Sequence, residues 1–311
     1  MCKNNSALNY AKSKKNDEFY IRMMDVIREL RFYKDFFRNK IVFCNCNDAL
    51  HTTFVEFFIN NFELLGIKEL IYSSYGEGDD NGIIFMYDGV ITYSEELDGK
   101  GDFRYGKCLD ALIYADVVVT GPPFSLFREF ISLMFRYNKK FLVVGDLNSI
   151  ACKTIFPYII EGKMWLGINK CIKFIVPDNY NKAYKIENGE KLATIGTSVW
   201  FTNIPHGVTN KQLKLTSKFE KSKYHRCDNF DAIFVEKVKQ IPKYYRGVMA
   251  VPITFLLDYC PQQFEILGIT DTSEYSREYR IDGFYDYGRA YVDGKKKYPH
   301  LLIRRKDLLH K

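Results

Sequence analysis

The chain has 311 residues, 47% apolar and 27% charged, a globular composition that excludes a disordered protein and admits one large domain or two of ordinary size. No uncharged apolar run reaches about 18 residues, and the first twenty residues are polar and basic, so neither a membrane span nor a secretory signal is expected. The net charge of +7 belongs wholly to residues 211–311, which carry 20 basic and 13 acidic side chains against 25 of each in residues 1–210; a basic third of this kind attracts polyanions by releasing their counterions.

In chain order, residues 1–16 are polar and read as a flexible arm. Residues 22–37 carry apolar side chains at helical spacing, KIVFCNC (40–46) reads as a buried strand, and residues 49–65 as a helix stopped by Gly66. A second strand is expected at 68–74 and a hairpin over 82–94, turning at Asp88-Gly89. A third buried strand, ADVVVT (115–120), runs into Gly121-Pro122-Pro123, followed by a helix over 124–137, a strand over 139–145 and a helix over 149–162. This alternation predicts a parallel α/β sheet with helices on both faces. KMWLG (163–167), CIKFIVP (171–177) and ATIGTSVWFTNIP (193–205) read as further antiparallel strands. The C-terminal third is Tyr-rich and less regular. Eight cysteines are scattered, with only Cys44 and Cys46 close together, so reduced thiols in a cytoplasmic protein and no metal site are expected.

In an open α/β sheet, ligands bind beyond the carboxyl ends of the strands. The loops to watch are therefore 45–48, 73–78, 121–124 and 146–148. None contains GxGxxG or GxxxxGK[ST], which disfavours a dinucleotide dehydrogenase and a P-loop nucleotidase. The informative loop is Asp116-Val-Val-Val-Thr120-Gly121-Pro122-Pro123-Phe124. A buried strand ending in X-Pro-Pro-aromatic is how amino-group DNA methyltransferases place their active site, although a rigid turn after a strand has the same residues. An exocyclic amine is a poor nucleophile, because its lone pair is delocalised into the ring. Fixed hydrogen-bond acceptors hold it in line and favour its lone-pair-bearing form. Proline pre-sets the direction of a backbone carbonyl acceptor. An aromatic ring then stacks on a base flipped out of the duplex.

The longer stretch DVVVTGPPFSLFREFI (116–131) resembles the EcoRI-type family of adenine-specific DNA methyltransferases, and the similarity continues in order over roughly residues 16–306. Asp17-Glu18-Phe19-Tyr20 is similar to the element that meets the methionine part of S-adenosylmethionine, FCNCND (43–48) to the first cofactor loop, and LGIKELIYSSY (65–75) to the second strand. Gly101-Asp102-Phe103-Arg104 resembles the element whose Asp reaches the cofactor adenine. KKFLVVGDLNSI, SVWFTN, GVMAVPITFL, QFEILGI and HLLIRRK resemble later family blocks.

The resemblance implies a Rossmann-like class I methyltransferase sheet flanked by helices, with a C-terminal mixed target-recognition region. The expected division is a catalytic domain at 17–210 and a basic recognition region at 211–311. It implies S-adenosylmethionine as cofactor, S-adenosylhomocysteine as product and double-stranded DNA as partner, in a monomer or weak dimer that can work beside a restriction nuclease. The catalytic set it implies is Gly121, Pro122, Pro123 and Phe124. The cofactor set is Phe19, Tyr20, Asn45, Asp48, Ser73, Asp102, Phe103 and Thr120. Asp48 also reads as a helix N-cap, and Phe19 and Tyr20 as core aromatics. For Trp200 and Phe201, core packing suits one ring and a wall of the base pocket the other. Lys211, Lys214, Lys218, Lys221, Lys223 and Arg226, with Lys295, Lys296, Arg304 and Arg305 from a hairpin turning at Asp293-Gly294, are expected to meet the DNA backbone, or else to form a solvated face.

One departure matters. The family's first catalytic position is Asn, and here it is Gly121, which has no side-chain acceptor. Losing one preorganised hydrogen-bonding group typically costs about 3–4 kcal/mol, roughly 10²–10³ in rate. The expectation is therefore a DNA adenine-N6 methyltransferase, with a catalytically weak or inactive DNA-binding homologue as the alternative.

Overall fold

A computed structural model describes residues 20–45, 53–76, 78–170, 172–176, 180, 183–206, 211–271, 274–281 and 288–306. The chain runs β1 (Tyr20–Ile21), α1 (Met23–Leu30), β2 (Ile41–Asn45), α2 (Thr53–Asn60), α3 (Phe62–Leu65), β3 (Glu69–Ser74), β4 (Ile83–Tyr87), β5 (Thr92–Glu96), α4 (Gly106–Tyr114), β6 (Val117–Thr120), α5 (Phe127–Arg136) and β7 (Lys140–Asp146). It continues through α6 (Phe156–Ile160), β8 (Trp165–Leu166), β9 (Phe174–Ile175), β10 (Lys185–Glu187), β11 (Glu190–Ala193) and β12 (Ser198–Thr202). The last strands are β13 (Ile233–Phe234), β14 (Met249–Pro252), β15 (Phe264–Ile269), β16 (Tyr291–Val292), β17 (Lys295–Lys296) and β18 (His300–Arg305). No helix among the described residues is long and apolar enough to cross a membrane.

Two compact units emerge, one made of Met1–Asp146 with Gly167–Ile204 and the other of Leu147–Leu166 with Pro205–Lys311. This division differs from a single boundary near residue 210, because Leu147–Leu166 groups with the C-terminal part of the chain.

The first unit is built on a mixed sheet with strand order β5-β4-β3-β2-β6-β7-β12. Its centre, β3-β2-β6-β7, is parallel. All four residues of β6 are buried and so are five of the seven in β7, the continuous apolar pattern of strands covered on both faces. The sheet is mixed rather than wholly parallel, because β4 and β5 fold back as an antiparallel hairpin on one side and β12 runs antiparallel to β7 on the other. The hairpin turns where expected, with the Asp88 carboxylate accepting from the amides of Val90 (2.9 Å) and Ile91 (2.8 Å). A smaller sheet, β1-β9-β11-β10, completes this unit.

Several helices are shorter than the sequence pattern suggests. The helix expected over 149–162 becomes a 3-10 turn at Leu147–Ala151 and a short α6, because Pro157 fits only a first turn. The one expected over 124–137 begins at Phe127, since residues 123–126 form a turn in which the Leu126 amide donates to the Pro123 carbonyl at 2.8 Å. The helix predicted at 49–65 breaks at Asn61, whose side-chain amide donates to the Phe57 carbonyl at 2.8 Å, and its residues 49–52 lie outside the described ones. The helix expected over 22–37 ends at Leu30 and gives way to a 3-10 turn at Lys34–Phe36.

Helix α1 buries two carboxylates, and both are used as caps for a distant segment of the same unit. Glu29 accepts from the Tyr33 hydroxyl (2.9 Å) and from the amides of Ile168 (2.9 Å) and Asn169 (2.6 Å). Asp25 accepts from the Lys173 amide at 3.0 Å and is flanked by Arg22 and Arg28. Burial and the neighbouring carboxylate push the Tyr33 phenol far above its ordinary range, so it stays a donor.

The second unit contains a four-stranded sheet, β13-β14-β18-β15, and a hairpin, β16-β17. Three blocks singled out in the sequence thus become adjacent strands: β14 and β15 flank β18 on either side, both antiparallel to it. The hairpin turns at Asp293-Gly294 as expected, both residues having positive φ.

Candidate active site

The parallel order β3-β2-β6-β7 brings the ends of four strands to one edge, so Asn45, Ser73, Thr120 and Asp146 become neighbours in rank along it. The first three are tied together. Asn45 Nδ2 donates to Ser73 Oγ at 2.8 Å, and the Thr120 hydroxyl donates to the Asn45 carbonyl. Ser73 and Thr120 are buried, so this network is fixed before any ligand arrives.

Residues 97–101 return from the hairpin across the end of β3. Gly76 N donates to Lys100 O at 2.9 Å. The approach needs glycine, because a Cβ on Gly82 or Gly101 would lie 2.6 or 2.8 Å from the Ser74 carbonyl oxygen. The crossing delivers Asp102 to the site. Its carboxylate accepts from the Arg104 amide (2.9 Å), from Nε (2.9 and 3.1 Å) and from a terminal guanidinium nitrogen (2.6 Å). These contacts hold Asp102 well below the usual carboxylate range, so it is an anion with one defined orientation. Phe103 turns inward, 4% exposed, and meets Phe130 edge-on at 4.9 Å. Its ring is part of the core, so the expected contact with the cofactor is corrected: only its main chain remains for that role.

At the end of β6 the loop alternates in exposure. Gly121 and Pro123 are exposed, Pro122 is buried, and Phe124 is half-buried against the core of this unit. Gly121 sits above Ile21 and Phe54, which a Cβ would meet at 3.7 and 3.8 Å, an ordinary contact distance. Phe54 in turn packs edge-on against Trp200 at 5.9 Å. Trp200 and Phe201 are both fully buried, Phe201 against Phe127 at 4.9 Å, so neither ring lines an open pocket. That corrects the reading of one of them as a pocket wall. β12 carries both because it is inserted beside β7, where each face of the sheet is covered.

Tyr20 lines a cleft of about 510 Å³ with Arg22, Met23, Thr53, Glu56 and Glu187, a size that suits a small-molecule ligand. The Thr53 hydroxyl donates to Ile21 O at 2.6 Å, so the start of α2 is pinned to β1. Phe19 and Asp48, named from the sequence, lie outside the described residues. The chemistry of the remaining groups fits an adenosyl cofactor: a fixed carboxylate at Asp102 and an amide–hydroxyl pair, Asn45 and Ser73, at the strand ends.

The basic residues are placed on the second unit. Residues 211–226 form an irregular segment rather than a helix, held by Gln263, which exchanges hydrogen bonds of 2.7 and 2.9 Å with the Leu213 backbone, and by the Tyr224 hydroxyl on Gln240 O at 2.7 Å. Lys211, Lys214, Lys218, Lys221 and Lys295 are exposed and form no ion pair among the described residues. Lys223 pairs with Glu220 (2.8 Å), Arg226 with Asp231, and Arg304 with Glu265 (3.0 Å), so these three carry less free charge than the sequence implied. Lys296 is exposed and Arg305 half-buried. The sequence reading had passed over Tyr244, which is 70% exposed and whose phenol is drawn below its ordinary value by Lys243, with Arg305 and Lys218 adding to the effect.

Comparison with known proteins places the chain in a family. No solved structure matches. The chain is 37% identical to the Type II methyltransferase M.EcoRI of Escherichia coli, over 94% of this chain and 97% of that protein. It is 33% identical to the Type II methyltransferase M.MgeORF184P of Mycoplasma genitalium, over 96% and 99%, and 32% identical to M.MpnI of Mycoplasma pneumoniae, over 96% and 98%. The pattern of the family described as adenine-specific methyltransferase EcoRI matches residues 7–94 and 80–306, and the chain belongs to that family of methyltransferases.

Proposed function

We propose that this protein transfers a methyl group from S-adenosylmethionine to the N6 amino group of adenine in a specific site of double-stranded DNA, using a Rossmann-like class I catalytic domain. The observation that carries this reading is the set of strand ends: a fixed anion at Asp102, the Asn45–Ser73–Thr120 network, and the Gly121-Pro122-Pro123-Phe124 loop, all on one edge of one sheet. Tyr20, Asn45, Ser73 and Asp102 hold the cofactor, with Asp102 accepting from its adenine amino group. When bound, the cofactor supplies a methyl group on a positively charged sulfur. The Pro122 carbonyl accepts from the target amino group and favours its lone-pair-bearing form, and Phe124 stacks on the flipped base. The N6 lone pair, so aligned, would accept that methyl group, and the proton displaced from N6 would leave to water. The exposed lysines of 211–221 and 295–296 meet phosphates without reading sequence. A cytoplasmic location, a monomeric or weakly dimeric state and pairing with a restriction nuclease belong to the same proposal.

A second reading rests on Gly121. The position is exposed and has no side-chain acceptor, and the Thr120 proton beside it is already given to Asn45. The protein would then be a slow enzyme or a DNA-binding homologue. The test is transfer from tritium-labelled S-adenosylmethionine to unmethylated DNA, followed by digestion and nucleoside chromatography. Label in N6-methyldeoxyadenosine supports the enzyme. Label in a cytosine product overturns the choice of base. Cofactor and DNA binding without label favours the second reading.

A further inference from the structure

Arg104 does more than neutralise its neighbour. Its Nε and one terminal nitrogen grip both oxygens of Asp102, while its other terminal nitrogen reaches Glu129 Oε2 at 2.9 Å. Glu129 lies in the first turn of α5, the helix entered directly from the Gly121–Phe124 loop. The residues next to this pair in sequence repeat the link: Phe103 packs on Phe130 with both rings buried. Two consecutive residues of the Asp102 loop therefore meet two consecutive residues of α5, one pair polar and one apolar. Both the carboxylate and the catalytic loop are held to the same helical turn.

We infer that Arg104 is a positioning residue: it fixes the Asp102 carboxylate for the amino group of the cofactor adenine and, through Glu129, couples that carboxylate to the helix that follows the Pro122–Phe124 loop. The inference rests on the reading of Asp102 given under Proposed function. A carboxylate free to rotate would offer its lone pairs in many directions, and only some of them would meet a planar amino group. An Arg fork fixes the plane of the carboxylate, which a Lys point charge does not. The Arg104–Glu129 pair is more exposed than the Asp102 grip, with side-chain exposures of 35% and 59%, so its own contribution is the smaller one.

The experiment titrates S-adenosylhomocysteine and S-inosylhomocysteine, which carries a carbonyl in place of the adenine amino group, into the full chain by calorimetry. The proteins are the unmodified chain and its Arg104→Gln, Arg104→Lys, Glu129→Gln, Arg104→Gln/Glu129→Gln and Asp102→Asn variants. The unmodified chain should prefer the adenine compound by at least about 10-fold. Arg104→Gln should reduce that preference by about 10-fold, and Arg104→Lys should fall between the two. Glu129→Gln should weaken binding about 2-fold to 3-fold alone and add nothing in the Arg104→Gln background. A merely structural role would lower the melting temperature and both affinities together, and would leave the preference intact. If Arg104→Gln does not fold, the Arg104→Lys preference decides. Asp102→Asn losing the preference while both Arg104 variants keep it would overturn the role of Arg104 and leave the reading of Asp102 standing. Asp102→Asn keeping the preference would overturn that reading and this inference with it. An undiminished effect of Glu129→Gln in the Arg104→Gln background would refute the coupling to α5.

Discussion

Replacing Gly121 by Asn is the sharpest perturbation of the proposed chemistry. The steric cost is worked from the structure: among the described residues, a Cβ at 121 meets only Ile21 Cδ1 at 3.7 Å and Phe54 Cε2 at 3.8 Å, both ordinary van der Waals distances. Gly121 is not among the glycines with positive φ, so Asn adds no backbone strain. Removing glycine also narrows the unfolded ensemble, which stabilises by about 0.4–1 kcal/mol. Against this negligible cost stands the gain of one preorganised acceptor for the target amino group, about 3–4 kcal/mol in the transition state and so roughly 10²–10³ in rate. Gly121→Asn should therefore raise single-turnover methyl transfer by about two orders of magnitude, with a melting temperature raised by no more than about 1–2 °C and unchanged cofactor affinity. The assay is rapid quench with labelled S-adenosylmethionine and saturating unmethylated DNA. A variant that binds cofactor and DNA normally but transfers within about 2-fold of the unmodified chain would refute the placement of the amino group at residue 121.

Three further outcomes follow from other parts of the structure. Glu29→Ala removes a fully buried acceptor for two backbone amides and the Tyr33 hydroxyl; at about 1–3 kcal/mol for each of these three abandoned partners it should lower stability by at least about 3 kcal/mol in urea unfolding, and a loss under about 1 kcal/mol would contradict the capping role. Burial depresses the His300 imidazole below its ordinary 6.5, so the unfolded chain takes up this proton first. Stability from this site is full above pH 6.5 and declines as pH falls from there toward the depressed value; denaturant midpoints of a His300→Leu variant should show a shallower decline over that window. Lys218→Ala with Lys221→Ala should reduce the slope of log affinity for DNA against log salt by about 1.8 if each lysine meets one phosphate, and an unchanged slope would mark this segment as a solvated face.

The parallel centre of the sheet was legible because β2, β6 and β7 are continuous apolar runs, a pattern that burial on both faces requires. The hairpins at Asp88-Gly89 and Asp293-Gly294 were legible from turn chemistry. Asn188-Gly189, also at positive φ, joins β10 to β11 and carries the same signal, but the sequence reading missed it. Helix α4 was missed although Cys108, Ala111 and Leu112 stand at helical spacing, because Gly101–Arg104 drew the reading toward a loop. At the site, strand ends and the Pro-Pro turn could be placed from pattern alone. The grip of Arg104 on Asp102 and the inward turn of Phe103 could not, since neighbours in sequence do not reveal which side chain faces the core. Trp200 and Phe201 were ambiguous for the same reason: an apolar strand residue reads alike whether it lines a pocket or fills a core.

The assignment of Leu147–Leu166 to the second unit has a consequence for modularity. The chain leaves its first unit after Asp146, returns at Gly167 and leaves again after Ile204, so neither unit is a contiguous stretch of sequence. A truncation near residue 204 or 210 would strand twenty residues away from the strands they fold with, while a truncation at 146 would remove β12 from the main sheet. Exchange of C-terminal regions between relatives would therefore have to carry two separate segments together. Transfer of one without the other would leave a unit short of part of its own fold.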